Sequence, residues 1–230
     1  MSSAGDAVRT VVRGIGQTLI TVGVVLLLFC AYELWITNLV TAREQSRLSD
    51  GLRREWAEPR PGQPATRPVA VELGEGIAVL RAPRLGDDWN DEPPVVVEGT
   101  SVADLQKGPG RLVSSAQPGE LGNLVISGHR TTYGAPFAEL DLLQPGDAVV
   151  VETRDSWFTY RVTGTEIVSP TAVEVTLPVP RQPGAEPTDS LLTLTTCHPK
   201  YSARERMIVF SELEQTLAKA DGDPPALVAS

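Results

Sequence analysis

Residues 191–210, LLTLTTCHPKYSARERMIVF, are the most informative stretch for the fold. They read as two strands joined by a polar loop. In the first strand, Leu192 and Leu194 alternate with threonines before the strand ends at Cys197. The second strand is apolar and begins at Arg206. If the two strands are neighbours, the loop returns the chain and brings Arg206 close to Cys197.

Short β-rich runs of the same kind recur from residue 69 onwards. Turn signals such as Pro118-Gly119 and Pro145-Gly146 separate most of them. The predicted strands are 76–80, 95–98, 123–127, 147–153, 157–163, 191–197 and 207–213. Helices are predicted only at 102–107 and 136–142. Many short strands at this spacing predict an all-β fold, a closed or nearly closed β-barrel with short helices.

The N-terminal region has the character of a membrane span. No residue from 14 to 32 is charged, and the apolar character continues to Val40, which is long enough to cross a bilayer. Arg9 and Arg13 precede the run, so the positive-inside tendency puts the N-terminus in the cytoplasm and the remaining chain outside. The alternative is a cleaved signal peptide, but this run is longer than the usual apolar region and no convincing small-x-small cleavage site follows it. We therefore expect an uncleaved single-pass anchor in the cell membrane and an extracellular domain.

These patterns divide the chain into five parts. We expect a cytoplasmic N-terminus at 1–13, a transmembrane helix at 14–40, and a juxtamembrane stalk with a Pro-rich linker at 41–70. The β-barrel domain is expected at 71–215, followed by a disordered C-terminal tail at 216–230. Residues 41–56 are polar and rich in helix formers, which predicts a juxtamembrane helix or a frayed stalk before the Pro-rich linker.

Composition excludes several kinds of function. The formal net charge is -9, from 20 Lys and Arg against 29 Asp and Glu, which argues against nucleic acid as a partner. Cys30 lies in the predicted span, so no disulfide with the only other cysteine, Cys197, is expected. The two histidines and Cys197 are too few for a four-ligand zinc site, and no acidic cluster supports a calcium site. We expect no metal and no cofactor.

Three residues are candidates for chemistry. Cys197 is the only cysteine outside the predicted span, His129 follows the strand at 123–127, and Arg206 begins the last strand. Thiol catalysis requires a thiolate, a proton carrier and a group that stabilises an oxyanion, and these residues supply one each. A lone cysteine is also often a small buried residue, and a lone histidine is often structural. Spacing alone leaves both interpretations open.

At these residues the chain resembles a known family. The segments LTLTTCHPKYSARERMIVF (192–210) and NLVISGHRTTYGAPF (123–137) are similar to the sortases, membrane-anchored cysteine transpeptidases of mostly Gram-positive bacteria. The runs from Cys197 to Tyr201 and from His129 to Phe137 resemble class E of the actinobacteria. The resemblance covers residues 74–213 and the anchor layout. One departure is that Gly-Pro-Gly at 108–110 is followed by Arg-Leu, where the class usually has an aromatic or histidine pair.

The resemblance implies the eight-stranded sortase barrel and a two-step acyl transfer. It implies Cys197 as nucleophile, His129 as proton carrier and Arg206 as the residue that stabilises the oxyanion, with Arg204 as a rival for the last role. The substrates would be surface proteins with a C-terminal Leu-Pro/Ala-x-Thr-Gly sorting signal, cleaved after Thr, and the acceptor would be an amine of a peptidoglycan precursor. Substrate-binding residues are expected at Thr196, Tyr133 and Arg130.

Two other classes of cysteine enzyme do not match these motifs. L,D-transpeptidases place histidine and cysteine close together in a His-Gly-Cys context, which Thr196-Cys197-His198 does not match. Papain-like enzymes have the cysteine before the histidine and at the start of a helix, whereas His129 precedes Cys197 here. The remaining alternative is a non-catalytic membrane-anchored binding barrel, which reactivity of the thiol would distinguish from an enzyme.

Overall fold

The structure is a computed structural model that describes residues 3–58, 71–86, 89 and 91–228. Within these ranges a long N-terminal helix precedes a closed barrel of eight strands. The predicted all-β barrel with short helices and one N-terminal helix is confirmed. The Pro-rich part of the predicted linker, residues 59–70, lies outside the described residues.

Eight described strands build the barrel. They are β1 (Gly76–Arg81), β2 (Val95–Glu98), β3 (Gly110–Arg111), β4 (Gly122–Ser127), β5 (Ala148–Glu152), β6 (Ser156–Val168), β7 (Ser190–His198) and β8 (Glu205–Ala218). Hydrogen bonds close them in the order β1-β2-β3-β4-β7-β8-β6-β5. All neighbours are antiparallel except β2 with β3 and β4 with β7. Because β4 and β7 run parallel, both end at the same edge of the barrel.

Alternation along β4 and β7 separates the barrel interior from its outer face. Leu192 and Leu194 pair in register with Leu124 and Ile126, and all four are fully buried in one apolar core. Burial of each such side chain contributes about 1.5–3 kcal/mol, so this register is strongly preferred. Successive side chains in a strand point to opposite faces, which directs Cys197 outward.

The two-residue strand β3 was not predicted from the sequence. It joins β2 in a parallel pair in which Glu98 is the register partner of Arg111. The two side chains form a bidentate ion pair at 2.9 and 2.6 Å, and they are only 5% and 4% exposed. A strand this short has no periodicity to detect, so its place in the barrel depends on this pair and on its bonds to β4.

One helix, α1 (Ser3–Ala57), runs for 55 residues. The stretch Val8–Cys30 has the length and the apolar composition of a membrane span, and none of it is buried against the rest of the protein. This stretch begins earlier than the predicted span at 14–40. The helix continues without a break through the first part of the predicted stalk.

The C-terminal part of α1, which occupies the predicted juxtamembrane segment, packs on the barrel. Leu48 and Leu52 are buried in an apolar cluster with Val79, Val95 and Val97 on the outside of β1 and β2. These contacts remove apolar surface of both elements from water, which favours docking of the helix. The helix and the barrel are therefore one packed unit.

The short helices lie close to where they were predicted. The first, α2 (Val102–Leu105), begins with a capping box in which Ser101 and Asp104 bond each other's backbone N–H groups. It ends two residues before the predicted bound of 107. A 3₁₀ turn at Leu140–Leu142 occupies the end of the segment predicted at 136–142.

The C-terminal end differs from the disordered tail expected at 216–230. Strand β8 continues through Ala218, and a short helix, α3 (Pro225–Val228), follows. The Lys219 ammonium lies 4.1 Å from the ring centroid of Trp56 on α1 and donates to Glu152 at 2.7 Å. The polar composition suggested disorder, but these contacts order the segment next to α1.

Candidate active site

The predicted site residues lie at one end of β4, β7 and β8. Cys197 is the register partner of Arg206. Ser127 is the partner of Thr195, so His129, two residues beyond Ser127, reaches the level of Cys197, two residues beyond Thr195. Neighbouring strands are about 4.8 Å apart, and register partners project from the same side of a sheet. The cysteine, the histidine and the arginine therefore occupy neighbouring positions on one patch of the outer face.

Hydrogen bonds fix the ends of β4 and β7 to each other. The Gly128 N–H donates to the Thr195 carbonyl at 3.1 Å, and the Thr196 hydroxyl donates to the Gly128 carbonyl at 2.7 Å. A Cβ atom at Gly128 would lie 2.6 Å from the ring of Phe137, so only glycine lets that buried ring pack here. The Phe137 N–H donates to the His129 carbonyl at 3.0 Å. The backbone around His129 is thus held on both sides.

Arg206 is better placed than Arg204 to stabilise negative charge beside the thiol. One guanidinium nitrogen, Nη1, donates to the carbonyls of Ala203 and Glu205 at 2.9 and 3.0 Å, which anchors the side chain to the loop before β8. Its Nε–H and Nη2–H groups have no hydrogen-bond partner among the described residues. Arg204 is exposed and lies in the loop outside the register of β7 and β8.

The ring of His129 is partly covered and has a free nitrogen. Its Nε2 atom is buried without a hydrogen-bond partner among the described residues, and the ring of Tyr133 lies 4.9 Å away, centroid to centroid. Burial lowers the pKa of His129 below its ordinary value of 6.5, because desolvation disfavours the imidazolium. The thiol of Cys197 is half-buried, and no hydrogen bond joins it to His129 in the described structure. A buried polar nitrogen without a partner is unusual, which marks this ring as a candidate for a role in catalysis.

Arg130 does not lie where a substrate contact was expected. The residue is only 4% exposed, and its guanidinium donates to Asp141 at 2.7 Å. A second nitrogen of the guanidinium lies 3.1 Å from His198 Nδ1 and 3.6 Å from Met207 Sδ. Because arginine only donates, His198 Nδ1 is the acceptor. Through His198, Arg130 ties the segment after β4 to the end of β7.

Thr196 and Tyr133, the other two expected substrate-binding residues, have different surroundings. Thr196 is buried, and its hydroxyl is used in the bond to Gly128, so its side chain is structural. Tyr133 is half-buried beside His129, and its hydroxyl accepts from Gln106 Nε2 at 3.2 Å. Of the two, only Tyr133 has a position beside the candidate catalytic residues.

The β6–β7 connection covers part of the outer face of the barrel, which was not predicted from the sequence. Asn123 donates to the carbonyls of Val175 and Leu177 at 3.3 and 3.1 Å and accepts from the Thr193 hydroxyl at 2.8 Å. These bonds hold the β6–β7 connection against the face that carries Cys197. The signal in the sequence was an asparagine next to the apolar residues of this strand. If such a residue is buried, its amide requires hydrogen-bond partners.

The described residues offer no metal site. No group of three or more His, Cys, Asp or Glu side chains among them is arranged to hold a metal ion. Of the two histidines, His198 is bonded to Arg130, and His129 has Tyr133 as its ring neighbour. The patch presents a thiol, an imidazole and a guanidinium.

Comparison with known proteins identifies the family. Residues 80–214 match the family model described as the sortase domain. The chain is 35% identical to sortase SrtE2 of Streptomyces coelicolor over 96% of its own length and 89% of the relative's. It is 34% identical to sortase SrtE1 of the same organism over 94% of its own length, but it spans only 61% of that relative.

Solved structures of sortases are also similar to this chain. The structure of sortase E from Streptomyces avermitilis is 42% identical, with a TM-score of 0.61, and the match covers 68% of this chain and 99% of the other. The crystal structure of sortase E1 from Streptomyces coelicolor with a tripeptide in the active site is 36% identical, with a TM-score of 0.61, over 67% of this chain and 97% of the other. This chain is a member of the sortase family of cysteine transpeptidases, and it belongs to class E.

Proposed function

We propose that this sortase cleaves a C-terminal Leu-Pro/Ala-x-Thr-Gly sorting signal after Thr and transfers the surface protein to an amine of a peptidoglycan precursor. The observations that carry the proposal are the register of Cys197 with Arg206 and the pairing of Ser127 with Thr195, two residues before His129 and Cys197. The structure of sortase E1 from Streptomyces coelicolor with a tripeptide in the active site supports a peptide substrate for this chain.

In the first step, the Cys197 thiol has given its proton to His129, and the resulting thiolate attacks the carbonyl carbon of the substrate Thr. Negative charge then develops on the carbonyl oxygen, and the free Nε–H and Nη2–H groups of Arg206 supply fixed donors for it. As the intermediate collapses, the C–N bond breaks, and the protonated ring of His129 gives its proton to the leaving Gly amine. The lowered pKa of His129 makes its imidazolium a stronger proton donor.

In the second step, the thioester is resolved by the acceptor amine. Neutral His129 removes a proton from the amine as its nitrogen attacks the acyl carbon. The C–N bond forms, the C–S bond breaks, and the Cys197 thiolate is restored. Because burial favours the neutral form of His129, the base needed for this step is the abundant form at neutral pH.

The proposed location is the cell membrane, with the barrel outside. The apolar stretch Val8–Cys30 supports a single-pass anchor, and Arg9 and Arg13 near its N-terminal end favour a cytoplasmic N-terminus. The proposed partners are therefore secreted surface proteins and extracellular peptidoglycan precursors, which both reach the outer side of this membrane.

The test is a peptide panel with mass spectrometry of the products. Peptides that carry Leu-Ala-x-Thr-Gly or Leu-Pro-x-Thr-Gly are incubated with the full chain and an amine acceptor. We expect cleavage after Thr and an amide product, and we expect Cys197→Ala to abolish both while its circular dichroism spectrum is unchanged. Retained cleavage by Cys197→Ala would refute the nucleophile, and no cleavage by the wild type would favour the non-catalytic binding barrel.

The two arginines provide a matched comparison. Arg206→Ala is expected to lower kcat about 100-fold, the size of effect seen when one oxyanion donor is lost. Arg204→Ala removes the same kind of side chain two residues earlier, in the loop before β8, and is expected to leave kcat within about two-fold, because Arg204 is not in register with Cys197. The opposite order of effects would assign the role to Arg204.

A further inference from the structure

The loop that follows His129 has an unfavourable backbone conformation. Tyr133, Gly134 and Ala135 have φ angles of 52°, 74° and 44°, three successive residues in the left-handed region. Glycine adopts this region freely, but tyrosine and alanine do so only at a cost in free energy. Such a conformation persists when surrounding contacts hold it.

The contacts that hold this loop come from α1. The Gly134 N–H donates to Asn38 Oδ1 at 3.0 Å. The Tyr133 hydroxyl accepts from Gln106, and the Gln106 carbonyl accepts from the Thr41 hydroxyl at 2.9 Å. Asn38 and Thr41 are three residues apart, so they lie on one face of the helix. Two separate routes therefore connect this face to the loop.

The helix is firmly fixed at this point. Gln45, one turn beyond Thr41, accepts from the Val95 N–H at 2.7 Å and donates to the carbonyls of Val95 and Lys107 at 3.1 and 2.7 Å. The buried side chains of Leu48 and Leu52 follow on the same side. Since α1 is anchored to the barrel here, Asn38 is a fixed support for the loop.

The loop in turn supports the histidine. The Tyr133 ring lies 4.9 Å from the His129 ring at an interplanar angle of 42°. We propose that the juxtamembrane part of α1 is a positioning element of the active site, in which Asn38 holds the 131–137 loop and the loop holds Tyr133 against His129. The inference rests on the proposed function, because it concerns the catalytic role of His129. Asn38 is a positioning residue, since it acts on the imidazole through Tyr133.

The test compares two substitutions at one position in the full chain, reconstituted in detergent micelles. Asn38→Leu removes the acceptor for Gly134, whereas Asn38→Asp keeps an oxygen of the same geometry. Ser46→Ala is the control, because the Ser46 hydroxyl bonds only to Ala42 of its own helix. The readouts are kcat and KM for peptide cleavage and the NMR shift of the His129 Hε1 proton, which the nearby Tyr133 ring displaces. Loss of this signal in His129→Gln assigns it.

We expect Asn38→Leu to lower kcat about ten-fold with little change in KM, and to move the Hε1 shift towards the value of an unstructured peptide. Asn38→Asp and Ser46→Ala are expected to match the wild type in both readouts. Equal effects of Leu and Asp at position 38, or an unchanged kcat or Hε1 shift in Asn38→Leu, would overturn the inference. The Hε1 shift does not depend on turnover. An inactive wild type would therefore refute the proposed function separately, and the positioning role with it.

Discussion

The buried ion pair between Glu98 and Arg111 allows a sharp prediction about stability. Glu98→Gln keeps the shape of the side chain but removes its charge, and leaves the Arg111 guanidinium unneutralised in the barrel wall. Both bonds of the pair are charge-assisted, at 2.9 and 2.6 Å, and both residues are buried. Removing one partner of such a pair costs about 3–5 kcal/mol, because the remaining charge stays out of water. For a chain of this size we expect the Tm to fall by about 6–20 °C.

A surface pair in the same barrel is the control. Arg161 and Glu214 form a bond of 2.7 Å, but their side chains are 40% and 49% exposed, so Glu214→Gln should cost less than about 1 kcal/mol. Urea unfolding of each variant, followed by near-ultraviolet circular dichroism of the barrel aromatics, gives the two free energies. A third protein, Glu98→Leu with Arg111→Met, removes both charges and should recover most of the loss. Equal costs for Glu98→Gln and Glu214→Gln would refute the reasoning.

Two further predictions concern the active site. Burial lowers the pKa of His129 below 6.5, so the unfolded chain binds the proton more tightly than the folded chain does. The stability due to the neutral ring is therefore present above pH 6.5 and is lost as the pH falls below it. In His129→Gln, the free energy of unfolding should decline less steeply below that pH; an equal decline in both proteins, measured by urea unfolding at each pH, would contradict this. Arg130→Met should change the free energy of unfolding by less than about 2 kcal/mol, because the partner it leaves behind, Asp141, has a side chain that is 43% exposed and stays solvated. It should nevertheless lower peptide cleavage about ten-fold, because the ends of β4 and β7 lose their link through His198; unchanged cleavage would show that the link is not needed.

The fold was predictable where a strand has one buried face. Alternation in β6 (Phe158, Tyr160 and Val162) and β7 and the turn signals between strands predicted the barrel, whereas β3 has only two residues and no period. The predicted ends of β6 and β8 were too early, because both strands continue as a long pair with many exposed side chains. Apolar patterning detects only the part of a strand that contacts the core.

The site was predictable only in part, for a similar reason. The ends of β4, β7 and β8 can be inferred from the sequence, and they bring His129, Cys197 and Arg206 together. The side to which a residue points after a strand end depends on the local backbone, so the burial of Arg130 was missed. The docking of α1 did leave a signal in the spacing of Gln45, Leu48 and Leu52, which puts them on one helical face. Because the segment is polar, the sequence predicted only a juxtamembrane helix or a frayed stalk and not its docking.

The unbroken course of α1 has a consequence for the reach of the enzyme. Asn38 lies eight residues beyond Cys30 (38 − 30), the end of the apolar stretch, and contacts the loop of the active site. At 1.5 Å per residue, this is a rise of about 12 Å along the helix axis. With the proposed membrane anchor, a continuous helix would keep the height of the barrel above the bilayer nearly constant, whereas a flexible tether would let that height vary widely. The proposed substrates would then be limited to surface proteins whose scissile bond lies at that distance from the membrane.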